Sequence, residues 1–270
     1  MAVGAARIVY VGHATVLVEM DGVRLLTDPL LRPRLVHLRR AGSVSPEPLE
    51  GLDAVLISHI HFDHLDFASL RRLGRDVPMV VPRGAGGLIE RKGFSSVTEL
   101  GLGEELRVGA LTVRATPAVH DAGRAPFGRR AQPLGYVIEG LCSVYFAGDT
   151  DVFDGMGSLG SLDVALVPIW GWGPSLGPGH LNPRTAARAV RLTGASTAIP
   201  IHWGTYFPLQ AARRGLPVFL RSPALEFAAH MREIAPDVRV VVLRPGAETI
   251  VEKSGEGARP AAENFSADDG

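Results

Sequence analysis

The run His59-Ile60-His61-Phe62-Asp63-His64 constrains this chain more than any other feature. It follows directly on the apolar stretch Ala54-Val55-Leu56-Ile57-Ser58. Such a stretch reads as a strand buried on both faces. A strand alternates its side chains, so His59 and His61 can point the same way. A turn just after His61 would swing Asp63 and His64 toward a second point nearby. Neutral imidazole and carboxylate are ligands for first-row metals, and this layout serves two ions better than one. A histidine-rich surface loop has no need of so fixed a spacing.

Three more metal-binding side chains end apolar runs. His120 follows Val113 to Val119, Asp149 follows Tyr145-Phe146-Ala147-Gly148, and His202 follows Ala198 to Ile201. Open α/β sheets place ligands outside strand ends, so these residues are expected to converge.

The rest of the chain alternates strand and helix signals. Short β-branched runs predict strands over Arg7–Val11, Ala14–Glu19 and Val23–Thr27. Asp21-Gly22 between the last two is a hairpin pair, since both positions of such a turn need positive φ. Asp66 is placed to cap a helix with Phe67, Leu70 and Leu73 at helical spacing. A strand at Met79–Val81 and a short helix at Ala85–Arg91 follow, the latter ended by Gly93. Strands are expected at Glu104–Val108, Leu111–Ala115, Gly135–Glu139, Ser143–Ala147, Val164–Val167 and Thr197–Ile201. Asn182 caps a helix with Pro183 at its first position and Gly194 at its stop. Pro223–Ile234 reads as a late helix and Val238–Leu243 as the closing strand. Trp170 to Gly179 is an irregular Gly/Pro/Trp loop. Residues 1–252 are expected to form one domain, and the Gly-, Ala- and acid-rich residues 253–270 a disordered tail.

Lys+Arg and Asp+Glu balance at 28 each, so no global charge points to nucleic acid or an anionic membrane. The local exception is the basic segment Arg32 to Arg40, read as a solvated loop or as a contact to an anionic substrate or membrane. Cys142 is the single cysteine and lies in an apolar run, so it reads as a small buried residue and no internal disulfide can form. With no secretory leader pattern and no apolar stretch of membrane-spanning length, a cytoplasmic protein is expected.

The pattern His59-x-His61-x-Asp63-His64, then His120, Asp149 and His202, resembles the metallo-β-lactamase fold hydrolases. Shorter motifs resemble the branch containing L-ascorbate-6-phosphate lactonase and N-acyl-phosphatidylethanolamine phospholipase D. They are Gly12-His13-Ala14-Thr15, Leu26-Thr27-Asp28-Pro29, Phe146-Ala147-Gly148-Asp149-Thr150, Gly179-His180-Leu181-Asn182-Pro183 and Pro200-Ile201-His202-Trp203-Gly204-Thr205. The resemblance implies an α/β (α+β) fold, an αββα sandwich of two mixed sheets with outer helices and the site at one edge.

It also implies ligand sets. His59, His61 and His120 would hold one metal, Asp63, His64 and His202 a second, and Asp149 would bridge them. A donor set of nitrogen and oxygen without thiolate favours two zinc ions, with manganese or iron also fitting. Two ions sharing a bridging water would supply hydroxide at working pH, for direct hydrolysis of a phosphodiester, lactone or other ester in a small or lipid-like molecule. Asp149 and His180 are the candidate catalytic residues, His180 as proton donor. His13 and Asp28 are candidates to orient ligands or touch substrate. Trp170, Trp172, Trp203, Tyr206 and Phe207 are candidates to line the substrate mouth, with core packing the rival reading. No nucleic-acid partner is expected, and self-association stays open. A redox protein with iron, or a non-catalytic metal-binding module of the same fold, are the alternatives.

Overall fold

The computed structural model describes residues 5–124, 128–171, 177–209 and 220–253. The tail from residue 254 onward and Trp172 lie outside them.

In the first half of the chain the strands are β1 (Ala5–Gly12), β2 (Thr15–Met20), β3 (Val23–Thr27), β4 (Arg34–Leu35), β5 (Leu38–Arg40), β6 (Ala54–Leu56), β7 (Met79–Pro82) and β8 (Val97–Leu100). Helices α1 (Phe67–Leu73) and α2 (Gly86–Glu90) lie among them. The second half holds β9 (Glu105–Val108), β10 (Leu111–Pro117), β11 (Leu134–Glu139), β12 (Ser143–Phe146), β13 (Val164–Pro168), β14 (Thr197–Ile201), β15 (Tyr206–Pro208), β16 (Arg239–Val240) and β17 (Glu248–Glu252). Its helices are α3 (Pro183–Thr193) and α4 (Ser222–Ile234).

Two seven-stranded sheets result, ordered β17-β1-β2-β3-β6-β7-β8 and β16-β14-β13-β12-β11-β10-β9. Each is antiparallel on one side and parallel on the other, the change falling at β3 in the first and β12 in the second. Period-two burial makes both faces of β1 useful. Ala6, Ile8 and Tyr10 enter the large core with Val113, Tyr136, Ile138, Phe146 and Leu166 of the second sheet. Val9 and Val11 turn the other way, to a smaller core with Leu70 of α1 and Ile89 of α2. The second sheet is covered by α3, which packs on β13 and α4. This is the expected sandwich of two mixed sheets with outer helices.

Local chemistry sets the ends of these elements. Asp66 accepts from Ser69 N and starts α1. Asn182 accepts from Arg184 N and Thr185 N, while the Thr185 hydroxyl accepts from Asn182 N, forming a reciprocal cap on α3. At the β2–β3 turn Asp21 and Gly22 adopt φ of 55° and 77°, as the pair requires.

Two expectations need correction. The closing strand is β17, paired antiparallel with β1. Within Val238–Leu243 only Arg239 and Val240 pair, with β14. The basic segment is not a loop: β4 and β5 form a hairpin in a third sheet, ordered β15-β5-β4. Arg40 closes it inward. Its guanidinium is buried, donates to Leu30 O and Val11 O, and lies 5.6 Å from the Tyr206 ring centroid.

Candidate metal centre

The strands that carry candidate residues at their C-terminal ends run in one direction within each sheet. In the first sheet β1, β3 and β6 lead to His13, Asp28 and His59. In the second, β10, β12 and β14 lead to His120, Asp149 and His202. The two edges are sewn together at the site, where Leu134 N donates to Ser58 O at 2.9 Å and Tyr136 OH to Ile57 O at 2.8 Å. Gly148 lets the Asp149 loop approach. Its φ is 61°, and a Cβ there would lie 2.7 Å from Ser58 Cβ.

All seven candidate ligands meet, in two groups. His59, His61 and His120 bring ligand atoms within 4.8 Å of one another, as do Asp63, His64 and His202 together with His13. Asp149 lies against the second group, with Oδ2 3.2 Å from His64 Nε2 and Oδ1 3.4 Å from His202 Nε2. It also forms a group with His120 and His180. His180 Nε2 is 3.8 Å from Asp149 Oδ2.

The histidines are oriented from behind. His64 Nδ1 donates to Asp28 Oδ2 at 2.7 Å, His120 Nδ1 to Gly179 O at 2.8 Å and His202 Nδ1 to Trp170 O at 2.5 Å. Ser58 Oγ gives its proton to Asp28 and accepts from His59 Nδ1 at 3.0 Å. In these four rings Nδ1 is thus engaged outward and Nε2 faces the centre, while His61 turns its Nδ1 inward. The consequence is electrostatically odd for bare protein. His64 Nε2 and His202 Nε2 are 3.3 Å apart, His120 Nε2 and His61 Nδ1 3.0 Å apart, and buried His59 Nε2 has no hydrogen-bond partner. Ring nitrogens gathered this way, beside two carboxylates, call for a cation, either bound protons or metal. The residues fit divalent metal, with only nitrogen and oxygen donors.

Titration agrees. Burial keeps His59 well below its ordinary pKa and takes His120 down to about 4, so both rings are neutral donors. Burial opposes charge on Asp149, but His202 and His64 outweigh it and hold its carboxyl well below the usual range. Asp63 is likewise held ionised against burial by His64, His13 and His202.

Asp28, His13 and His202 are non-glycine residues at φ of 33°, 61° and 63°. Left-handed backbone at three adjoining site residues is costly, and such strain is concentrated at functional sites. Thr15 and Thr27 hold the Asp28 turn: Thr15 Oγ1 donates to Asp28 O at 2.8 Å, and Thr27 Oγ1 to Ala14 O at 2.7 Å.

Of the aromatic mouth candidates, Trp203, Tyr206 and Phe207 are buried and serve packing. The Trp203 indole Nε1–H donates to Pro200 O, and its ring stacks with Tyr10 at 6.3 Å. Trp170 is half-buried and contributes its carbonyl. Arg124 was not singled out by sequence. It donates to Ile60 O at 2.6 Å and Leu65 O at 3.1 Å and lies 4.2 Å from the Phe62 ring centroid, clamping the ligand turn. A lone arginine beyond His120 gives no sequence signal for this.

Residues 23–203 match the family described as "Beta-lactamase superfamily domain". A protein of Methanopyrus kandleri named as a metal-dependent hydrolase is 33% identical over 249 residues, covering 89% of this chain and 97% of that one. An N-acyl-phosphatidylethanolamine-hydrolyzing phospholipase D of Caenorhabditis elegans is 34% identical over 225 residues, 73% of this chain and 63% of that one. The solved structure of a metallo hydrolase from Ignicoccus hospitalis shares the fold, with a TM-score of 0.68 at 24% identity over 93% of this chain and all of that one. The chain therefore belongs to the beta-lactamase superfamily, among its metal-dependent hydrolases.

Proposed function

We propose that this enzyme is a binuclear metal-dependent hydrolase whose substrate is a phosphodiester of a small or lipid-like molecule. The observation that carries the two-metal reading is the inward convergence of imidazole nitrogens in two groups, with His59, His64, His120 and His202 fixed through Nδ1 from behind. His59, His61 and His120 would hold one ion, Asp63, His64 and His202 the other, with Asp149 between them. The ions, zinc by preference, would acidify water and polarise the attacked oxygen. Asp28 orients His64 and, through Ser58, His59. Asp149 faces His64 with Oδ2 and His202 with Oδ1 and, placed between the ions, would orient the attacking group. His180, held by Pro178 O at 3.2 Å from Nδ1, keeps Nε2 toward the centre, where it can give a proton to the leaving group. The phosphodiester preference rests on similarity to the phospholipase D named above. No helix among the described residues is long and apolar enough to cross a membrane.

The test is a screen of bis-p-nitrophenyl phosphate against simple lactones, with zinc or manganese added to chelator-treated protein. Metal-dependent release of p-nitrophenol is the expected result. Turnover of lactones alone would reject the phosphodiester assignment, and metal binding without turnover of either would reject the hydrolase.

A further inference from the structure

We infer that His13 governs occupancy of the second metal position without being a ligand there, by fixing two of its ligands at once. The inference rests on the binuclear reading above. His13 Nε2 donates to Asp63 Oδ2 at 2.9 Å, so this N–H is committed to holding the carboxylate. Its ring lies on that of His202, with centroids 3.8 Å apart, and 5.5 Å from that of His64. Its main chain reaches the same loop twice: His202 N donates to His13 O at 2.7 Å, and His13 N donates to Thr205 Oγ1 at 2.7 Å. Asp63 and His202 come from different sheets, and His13 is in direct contact with both.

The local backbone is built for this contact. His13 and His202 both adopt left-handed φ, and Gly12 before them has φ 128°. A Cβ on Gly12 would come within 2.8 Å of the Arg40 guanidinium and 2.9 Å of Thr205. The strand end is thereby pressed onto the His202–Thr205 loop. The side chain at position 13 cannot turn away without leaving Asp63 and exposing a ring that is now buried. The contacts run to Asp63, His64 and His202, which makes the effect specific to one of the two positions.

The experiment uses the full chain stripped with chelator and titrated with cobalt(II), reading equivalents bound, affinity of each step and the visible absorption band. Wild type should take two equivalents. His13→Ala should keep the first step and weaken the second by about 10–100-fold, the usual effect of removing a partner behind a ligand. His13→Asn suits left-handed backbone best, but its amide ends short of Asp63, so it should behave as alanine does. This keeps the test open should the alanine variant fold poorly. His13→Gln carries an N–H to the place of Nε2 and should restore the second step and its absorption. Full second-site affinity in both His13→Ala and His13→Asn overturns the inference. Failure of glutamine to rescue overturns the orienting role. Wild-type protein that takes only one ion overturns the binuclear reading itself, and this inference with it.

Discussion

Asp28 Oδ2 accepts from His64 Nδ1 at 2.7 Å with both side chains wholly withdrawn from solvent. The same carboxylate accepts from Ser58 N at 2.7 Å and from the Ser58 hydroxyl. One buried acid therefore sets two ring orientations, His64 directly and His59 through Ser58. Asp28→Asn keeps the shape but replaces an acceptor with a donor at one position. Metal affinity and turnover should fall about 10–100-fold, read by metal titration and steady-state kinetics.

Removing a proposed ligand should cost more. Asp149→Asn and His59→Ala are expected to leave less than about one hundredth of wild-type turnover. Metal content and kinetics on the same preparations check this. A variant with full rate would take that residue out of the site.

His180 supports a separable step. His180→Ala should retain metal content and lose about a hundredfold in kcat on diesters with poor leaving groups. The loss should shrink with p-nitrophenyl esters, whose leaving group needs no proton. Wild-type turnover by the variant on both kinds of substrate would leave His180 as packing at the entry to α3.

Metal binding should depend on pH with a fixed sign. In metal-free protein, burial works against a charge on His64, but Asp149, Asp63 and Asp28 raise its pKa well above the ordinary value. His202 is also raised, by Asp149 and Asp63 against burial. Their folded pKa values exceed the unfolded value near 6.5. Their contribution to metal-free stability is thus full below about pH 6.5 and is lost as pH rises through the raised values. Metal must displace the same protons, so its affinity should climb with pH across that window, about tenfold per unit for each proton released. Calorimetry in buffers of different ionisation enthalpy reads the protons directly.

Arg124→Ala should destabilise the fold by about 1–3 kcal/mol, because it leaves the buried Ile60 and Leu65 carbonyls unmatched. Chemical denaturation measures this. Arg124→Lys should recover only part, since lysine lacks the planar fork that spans both carbonyls.

Sequence exposes what local chemistry decides. α3 is bounded by Asn182 and by Gly194 at φ 67°, and both signals are written in residue type. The seven converging side chains are legible because metal-binding residues end apolar runs. β17 is not legible: of its five residues only Val251 is buried, and it exists because β1 offers an edge. The run Val238–Leu243 looks more like a strand, yet only Arg239 and Val240 stand in register with β14. The β4–β5 hairpin is equally hidden, since tertiary bonds from Arg40 and from Tyr206 OH to Arg32 O at 2.6 Å hold it. In the site, the Trp170 and Gly179 carbonyls that orient His202 and His120 belong to the main chain and carry no residue signature.

Anomalous diffraction from crystals of the zinc-loaded chain, recorded on both sides of the zinc edge, tests the central claim most directly. Two peaks are predicted, one among His59, His61 and His120 and one among Asp63, His64 and His202, with Asp149 between them. A single peak, or zinc bound elsewhere while these side chains keep their present spacing, would contradict it.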